Sequence, residues 1–168
     1  MASGSVGHHA STLLSLVEAC ELLLRRGTED APAAEARSFA ELVAQERLRP
    51  GVRALKEESF SFPDAEASRP AGARHLDAAL RHAAADGFVE AELASIVTEL
   101  SSQLAWTSFY ERDRWSEPFI DDIAAARIMA PGGPVRSDRA ILGLFLMGPE
   151  VHYRFHAHEA EELYLVLG

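Results

Sequence analysis

Residues that could bind a metal and move a proton are gathered near the carboxyl end of the chain. They are Tyr153, His156, His158, Glu162 and Tyr164. His156 and His158 are two positions apart, so both imidazoles would project from the same face of a β-strand. A hairpin that brings Glu162 beside them would offer two nitrogens and one carboxylate to a single divalent metal, Fe, Zn or Mn. Such a ligand set leaves coordination positions open for water or a substrate.

Tyr164 shares a face with Glu162 and could act as a base. A free phenol has a pKa of about 10 and is a poor base at neutral pH. A divalent cation beside it favours the phenolate, which could then remove a carbon-bound proton. The alternative is an ordinary strand aromatic that packs inside the fold.

Two further alternatives concern the geometry of this stretch. Tyr153 is an odd number of residues from both histidines, so in a regular strand it points to the other face. Glu161 replaces Glu162 as the ligand if the hairpin register shifts by one residue. A pair of histidines two apart also occurs by chance on protein surfaces.

The elements that must position these residues change in type along the chain. Apolar residues recur at helical spacing in the first two thirds, and alternating or unbroken apolar runs separated by turns follow. Helices followed by consecutive strands predict an α+β fold, with an antiparallel sheet. We expect a flexible tail over 1–10, a helical region over 11–118 and a sheet region over 119–168. The predicted helices cover about 13–26, 33–48, 74–85 and 89–104; the predicted strands are 123–130, 139–147, 151–158 and 163–167, with turns at 131–134 and 148–150.

Composition narrows the class of protein. The chain has 168 residues, 48% of them hydrophobic, which suits one domain with a sizeable core. Its formal charge of −10 argues against nucleic acid and anionic membranes as partners. No secretion signal or membrane-spanning run is evident, so we expect a cytoplasmic protein. The single cysteine, Cys20, is predicted to be buried, and the scarcity of Lys beside Arg suggests a bacterium with a GC-rich genome.

Residues 148–168 resemble the first motif of the cupins, with the spacing G-x7-HxH-x3-E-x5-G. Tyr153 before the histidines and Tyr164 after Glu162 are similar to the cupin-type dimethylsulfoniopropionate lyases, which also carry a helical amino-terminal region. The resemblance implies a cupin (jelly-roll) β-barrel that binds a metal through His156, His158 and Glu162. It also implies that Tyr164 is the base, able to touch the metal, and that Tyr153 lies at the substrate.

The implied reaction is the β-elimination of dimethylsulfoniopropionate, a small carboxylate, to dimethyl sulfide and acrylate. A cupin also needs a second motif with another histidine, and none follows His158. We therefore expect an incomplete barrel, either a fragment or a chain completed by a partner, and the resemblance implies a homodimer. The alternatives are another cupin metalloenzyme (an Fe(II) oxygenase or a small-acid isomerase or lyase), a non-catalytic binding or sensor cupin, and a truncated inactive product.

Overall fold

The computed structural model describes residues 3–26, 33–48, 69–108, 110, 117–153, 159 and 162–167. Helices precede a four-stranded sheet, so the predicted α+β class is confirmed. The helices are α1 (Ser3–Arg26), α2 (Ala33–Arg47), a 3₁₀ helix (Ala71–His75), α3 (Leu76–Asp86), α4 (Phe88–Leu100) and α5 (Glu117–Asp121). The strands are β1 (Trp106–Thr107), β2 (Ile123–Ala130), β3 (Val135–Arg136) and β4 (Leu142–Met147).

The apolar stripe of α1 forms the centre of the helical packing. Leu13, Leu16 and Val17 are 0% exposed, and α1 contacts both α2 and α4. Arg25 and Arg26 lie in the last turn, where cations stabilise the negative end of the helix dipole. The same core continues into the sheet through the small side chains of β2, which let helix and strand approach closely.

α1 extends further towards the amino terminus than the predicted helix and enters the segment 1–10. α1 begins at Ser3 and runs without interruption to Arg26. Once packing has nucleated the apolar half of a helix, each added turn needs only its own hydrogen bonds, so polar residues can extend it.

β2 is the central strand of the sheet, and seven of its eight residues are buried. β4 pairs with it antiparallel from Ile123↔Met147 to Met129↔Leu142, with an irregularity between Arg127 and Met129. β1 also pairs antiparallel with β2. This strand lies inside the segment predicted to be helical (11–118), so that region also contributes to the sheet.

The prediction of a purely antiparallel sheet is wrong, because β3 pairs parallel with β2. The chain leaves β2 through a tight turn, in which the Gly133 amide donates to the Ala130 carbonyl oxygen at 3.1 Å. The Ser137 amide donates to the same carbonyl oxygen at 3.2 Å. Because of this loop, Val135 and Arg136 run parallel to the end of β2. A hairpin would instead have reversed the chain direction and given an antiparallel pair.

The last two predicted strands are not part of this sheet where the structure describes them. Residues 151–153 and 162–167 are outside regular strands, and 154–158 lie outside the described residues. Val166 is 88% exposed, and none of the described strands pairs with its segment. The described sheet is open, and closure into a cupin barrel stays a prediction. Among the helices described, none combines the length and the apolar character needed to cross a membrane.

Candidate active site

The segment that carries the candidate residues begins at a turn held against the start of β2. The Gly148 amide donates to the Asp122 carbonyl oxygen at 2.7 Å. A Cβ on Gly148 would come within 2.6 Å of His75 Nε2, so only glycine fits without displacing that ring. Glu150 has a φ of 60°, in the left-handed region, which bends the chain away from β4. The turn predicted at 148–150 is thereby confirmed.

A polar group beneath this turn ties the 3₁₀ helix to the sheet. The Asp122 carboxylate binds the Arg74 guanidinium and lies 2.9 Å from His75 Nε2. Arg74 also donates to the Asp121 carbonyl oxygen at 2.8 Å. His75 packs against Gly148 and so supports the turn.

Beyond the turn, the chain enters what we call the aromatic cluster, made of Tyr110, Phe119, Phe145, Tyr153 and Tyr164. The Tyr153 ring is at its centre. It stacks on Phe119 at a centroid distance of 5.9 Å and 14° between planes, and lies 5.4 Å from Phe145. Tyr110 and Tyr164 each approach the Tyr153 ring edge-on, at 6.3 Å. Edge-to-face and offset stacked contacts at these distances are favourable and fix the orientation of the rings.

The hydroxyl groups of the cluster form a row that ends on a carboxylate. The Tyr110 and Tyr153 hydroxyls are hydrogen-bonded, and the Tyr153 hydroxyl lies 3.5 Å from that of Tyr164. Tyr164 donates to Glu162 Oε2 at 2.6 Å. The structure therefore brings together Tyr153, Tyr164 and Glu162, three of the five residues singled out from the sequence.

Two of the three phenols hold their protons more tightly than a free tyrosine. Partial loss of solvent around the Tyr164 ring, followed by hydrogen bonds to Glu162 and Tyr153, raises the pKa of Tyr164 above its ordinary value. Burial and the bond to Tyr153 raise the pKa of Tyr110 as well. A tyrosinate at Tyr164 therefore needs a nearby positive charge, which a divalent cation would supply.

The described residues include part of a possible metal ligand set. Glu162 and Tyr164 present adjacent oxygens, and both side chains are exposed, so they can reach a cation. Carboxylate and phenolate oxygens suit a divalent transition metal. His156, His158 and the alternative ligand Glu161 lie outside the described residues. Within the described ranges there is no group of three His, Cys, Asp or Glu side chains that could hold a metal.

Tyr110 is the residue of the row that the sequence analysis missed. Trp106, nearby along the chain, is 2% exposed and belongs to the core. Tyr110 instead contributes its hydroxyl to the cluster. The sequence offered one signal that could have pointed to Tyr110. The chain has 3 tyrosines, two of them were already candidates, and Tyr110 is the third.

Comparison with known proteins finds similarity to dimethylsulfoniopropionate lyases. The profile of the dimethylsulfoniopropionate lyase family matches residues 44–168. A similar curated protein is dimethylsulfoniopropionate lyase DddQ of Ruegeria pomeroyi, 34% identical over 62 residues. That match covers 37% of this chain and 31% of the relative, so it spans less than a third of the relative's length. No solved structure matches the chain significantly. With most of its length matched by the family profile, the chain belongs to the dimethylsulfoniopropionate lyase family.

Proposed function

We propose that this protein is a metal-dependent dimethylsulfoniopropionate lyase, a carbon–sulfur lyase that releases dimethyl sulfide and leaves acrylate. Family membership supports the substrate class. The observation that carries the proposal is the contact between Tyr164 and Glu162 at 2.6 Å, with the Tyr153 hydroxyl 3.5 Å from Tyr164. This contact supports the proposal because the base, one metal ligand and the substrate-binding residue that the mechanism requires would then be neighbours.

In this proposal His156, His158 and Glu162 hold the metal within a cupin barrel, with the Tyr164 oxygen in reach of it. When bound, Fe, Zn or Mn would supply the positive charge that favours the Tyr164 phenolate and would hold the carboxylate of the substrate. Tyr164 accepts the proton from the carbon next to that carboxylate. The electrons of the broken C–H bond form the carbon–carbon double bond, and the electrons of the C–S bond leave with sulfur.

The aromatic cluster suits the other end of the substrate. A sulfonium carries a positive charge without hydrogen-bond donors, and the faces of aromatic rings attract such cations. Tyr153 is only half-buried, so part of its ring remains accessible. Phe119 of α5 and Phe145 of β4 contact the ring and hold it in place. We assign Tyr153 to the sulfonium side and Glu162 with Tyr164 to the carboxylate side.

The test is release of dimethyl sulfide by the metal-loaded protein, measured by gas chromatography. We expect Tyr164→Phe to reduce the rate by roughly 10²–10⁴-fold, the usual loss for a removed general base. Metal content, measured by mass spectrometry, should remain because the histidines and Glu162 are intact. Thr12→Val is the matched control, since it removes a hydroxyl bound to Glu99 at 2.9 Å in the helical region.

The proposal fails if the wild-type protein releases no dimethyl sulfide with Fe, Mn or Zn. Oxygen uptake with another substrate would then identify an Fe(II) oxygenase. Metal binding without turnover of any substrate would identify a binding or sensor protein.

A further inference from the structure

We propose that Tyr110 is a positioning residue, which holds Tyr153 in place for the substrate. This inference rests on the proposed function for its link to catalysis. Its physical basis is the hydrogen bond between the Tyr110 and Tyr153 hydroxyls, together with the edge-on contact of the two rings at 6.3 Å.

Tyr110 is itself held by a buried neighbour. Its ring meets Phe119 edge-on at 5.3 Å, and Phe119 is 6% exposed. A few residues earlier, Trp106 is buried and paired with Ala126 of the central strand. Tyr110 therefore closely follows, along the chain, a strand that is anchored to the centre of the sheet.

Tyr153 has less support from its own segment. It follows the exposed turn at Pro149 and Glu150 and lies outside the regular strands. Stacking on Phe119 and contact with Phe145 restrain the plane of its ring. Stacked rings can still slide across one another, so these contacts do not fix the position of the Tyr153 hydroxyl. The hydrogen bond to Tyr110 fixes that position.

The Tyr153 hydroxyl has a neighbouring hydroxyl on each of two sides. The distance of 3.5 Å to Tyr164 exceeds that of a normal O–H···O bond, whereas the Tyr110 hydroxyl is hydrogen-bonded to Tyr153. The Tyr153 hydroxyl is thus held on the Tyr110 side and kept at a distance from Tyr164. This leaves Tyr164 bonded to Glu162 and separates the residue that removes the proton from the residue that binds the substrate.

The kinetic test is Tyr110→Phe in the metal-loaded full chain, which keeps the ring and removes only the hydroxyl. We expect kcat/KM to fall about tenfold, mostly through KM, as for one lost hydrogen bond. The double variant Tyr110→Phe/Tyr153→Phe should lose no more than Tyr153→Phe alone. Additive losses would mean that Tyr110 acts independently of Tyr153 and would overturn the inference.

A second measurement does not depend on activity. With tyrosine labelled by ¹³C at Cζ, the 3 tyrosines should give separate NMR signals, assigned by the Phe variants. Tyr110→Phe should shift the Tyr153 signal, whereas the control Thr12→Val should leave it unchanged. An unmoved Tyr153 signal overturns the inference whatever the activity. If the wild-type protein releases no dimethyl sulfide, the proposed function fails, and the signal still decides whether Tyr110 positions Tyr153.

Discussion

The aliphatic core of the helical region and the aromatic cluster differ in their exposure to solvent, and this difference suits one to stability and the other to chemistry. The aliphatic core, centred on Leu13, Leu16 and Val17, is closed to solvent. The aromatic cluster is open on one side, and Tyr164 is 53% exposed. Burial of apolar area supplies most of the free energy of folding, whereas a reacting group must remain accessible. The two requirements are met in different places.

A hydrogen bond between a hydroxyl and a carboxylate occurs in both regions and shows how their burial differs. In the buried region, the Ser137 hydroxyl donates to Glu46 Oε2 at 2.7 Å, and Glu46 is 0% exposed. In the cluster, the Tyr164 hydroxyl donates to Glu162 Oε2 at 2.6 Å with both side chains exposed. Both are hydroxyl–carboxylate bonds of similar length. Burial makes the first structural, and exposure leaves the second available for chemistry.

The largest effect on folding is expected in the aliphatic core. Leu16→Ala should reduce the free energy of unfolding by about 2–5 kcal/mol, because the cavity it leaves cannot collapse fully. Leu16 is 0% exposed, and Leu22 of the same helix is 46% exposed. Leu22→Ala is therefore the matched control, expected to change stability by less than about 1 kcal/mol. Urea denaturation measures both, and equal losses would contradict the proposed division.

A smaller effect separates the two hydroxyl–carboxylate pairs. Ser137→Ala should reduce the free energy of unfolding by about 1–3 kcal/mol, because the buried Glu46 loses a donor. Tyr164→Phe removes the corresponding donor from the exposed Glu162, where water replaces it, and should change stability by at most about 0.5 kcal/mol. Urea denaturation of both variants measures the two losses. A larger loss for Tyr164→Phe than for Ser137→Ala would contradict the contrast between the buried and the exposed pair.

Arg139 tests whether the buried Glu46 depends on all of its donors. The Arg139 guanidinium lies 3.2 Å from Glu46 Oε1, and Glu46 is 0% exposed. Arg139→Ala leaves the buried carboxylate with one donor fewer, so it should also reduce the free energy of unfolding by about 1–3 kcal/mol. A loss below about 0.5 kcal/mol would mean that water replaces Arg139, and that burial does not make this group structural.

A further effect of about the same size as the smaller losses concerns pH. Burial raises the pKa of the Cys20 thiol from 9.0 to about 12. Between these values the unfolded chain loses a proton that the folded chain keeps, so stability falls as pH rises above 9. From pH 8 to pH 10, the wild-type protein should lose about 1 kcal/mol more than Cys20→Ala. Urea denaturation at both pH values measures this, and identical slopes would show that the thiol is accessible.

Local patterns in the sequence were sufficient for the elements whose structure depends on near neighbours. The apolar stripe of α1, the buried run of β2 and the turn at 148–150 are each set by a few adjacent residues. The spacing of Glu162 and Tyr164 likewise indicated a shared face, and the structure places them in contact.

Tertiary contacts decided the rest. The parallel pairing of β3 and the strand β1 inside the helical region depend on where β2 lies, not on local periodicity. Tyr110 and Tyr153 are separated by 43 positions, and no local pattern indicates that their hydroxyls meet. By itself, the sequence indicated candidate residues for a metal and a base and the approximate positions of α1 to α4. Only the tertiary structure decided that the Tyr110 hydroxyl bonds to that of Tyr153, because this contact depends on packing between segments far apart in the chain.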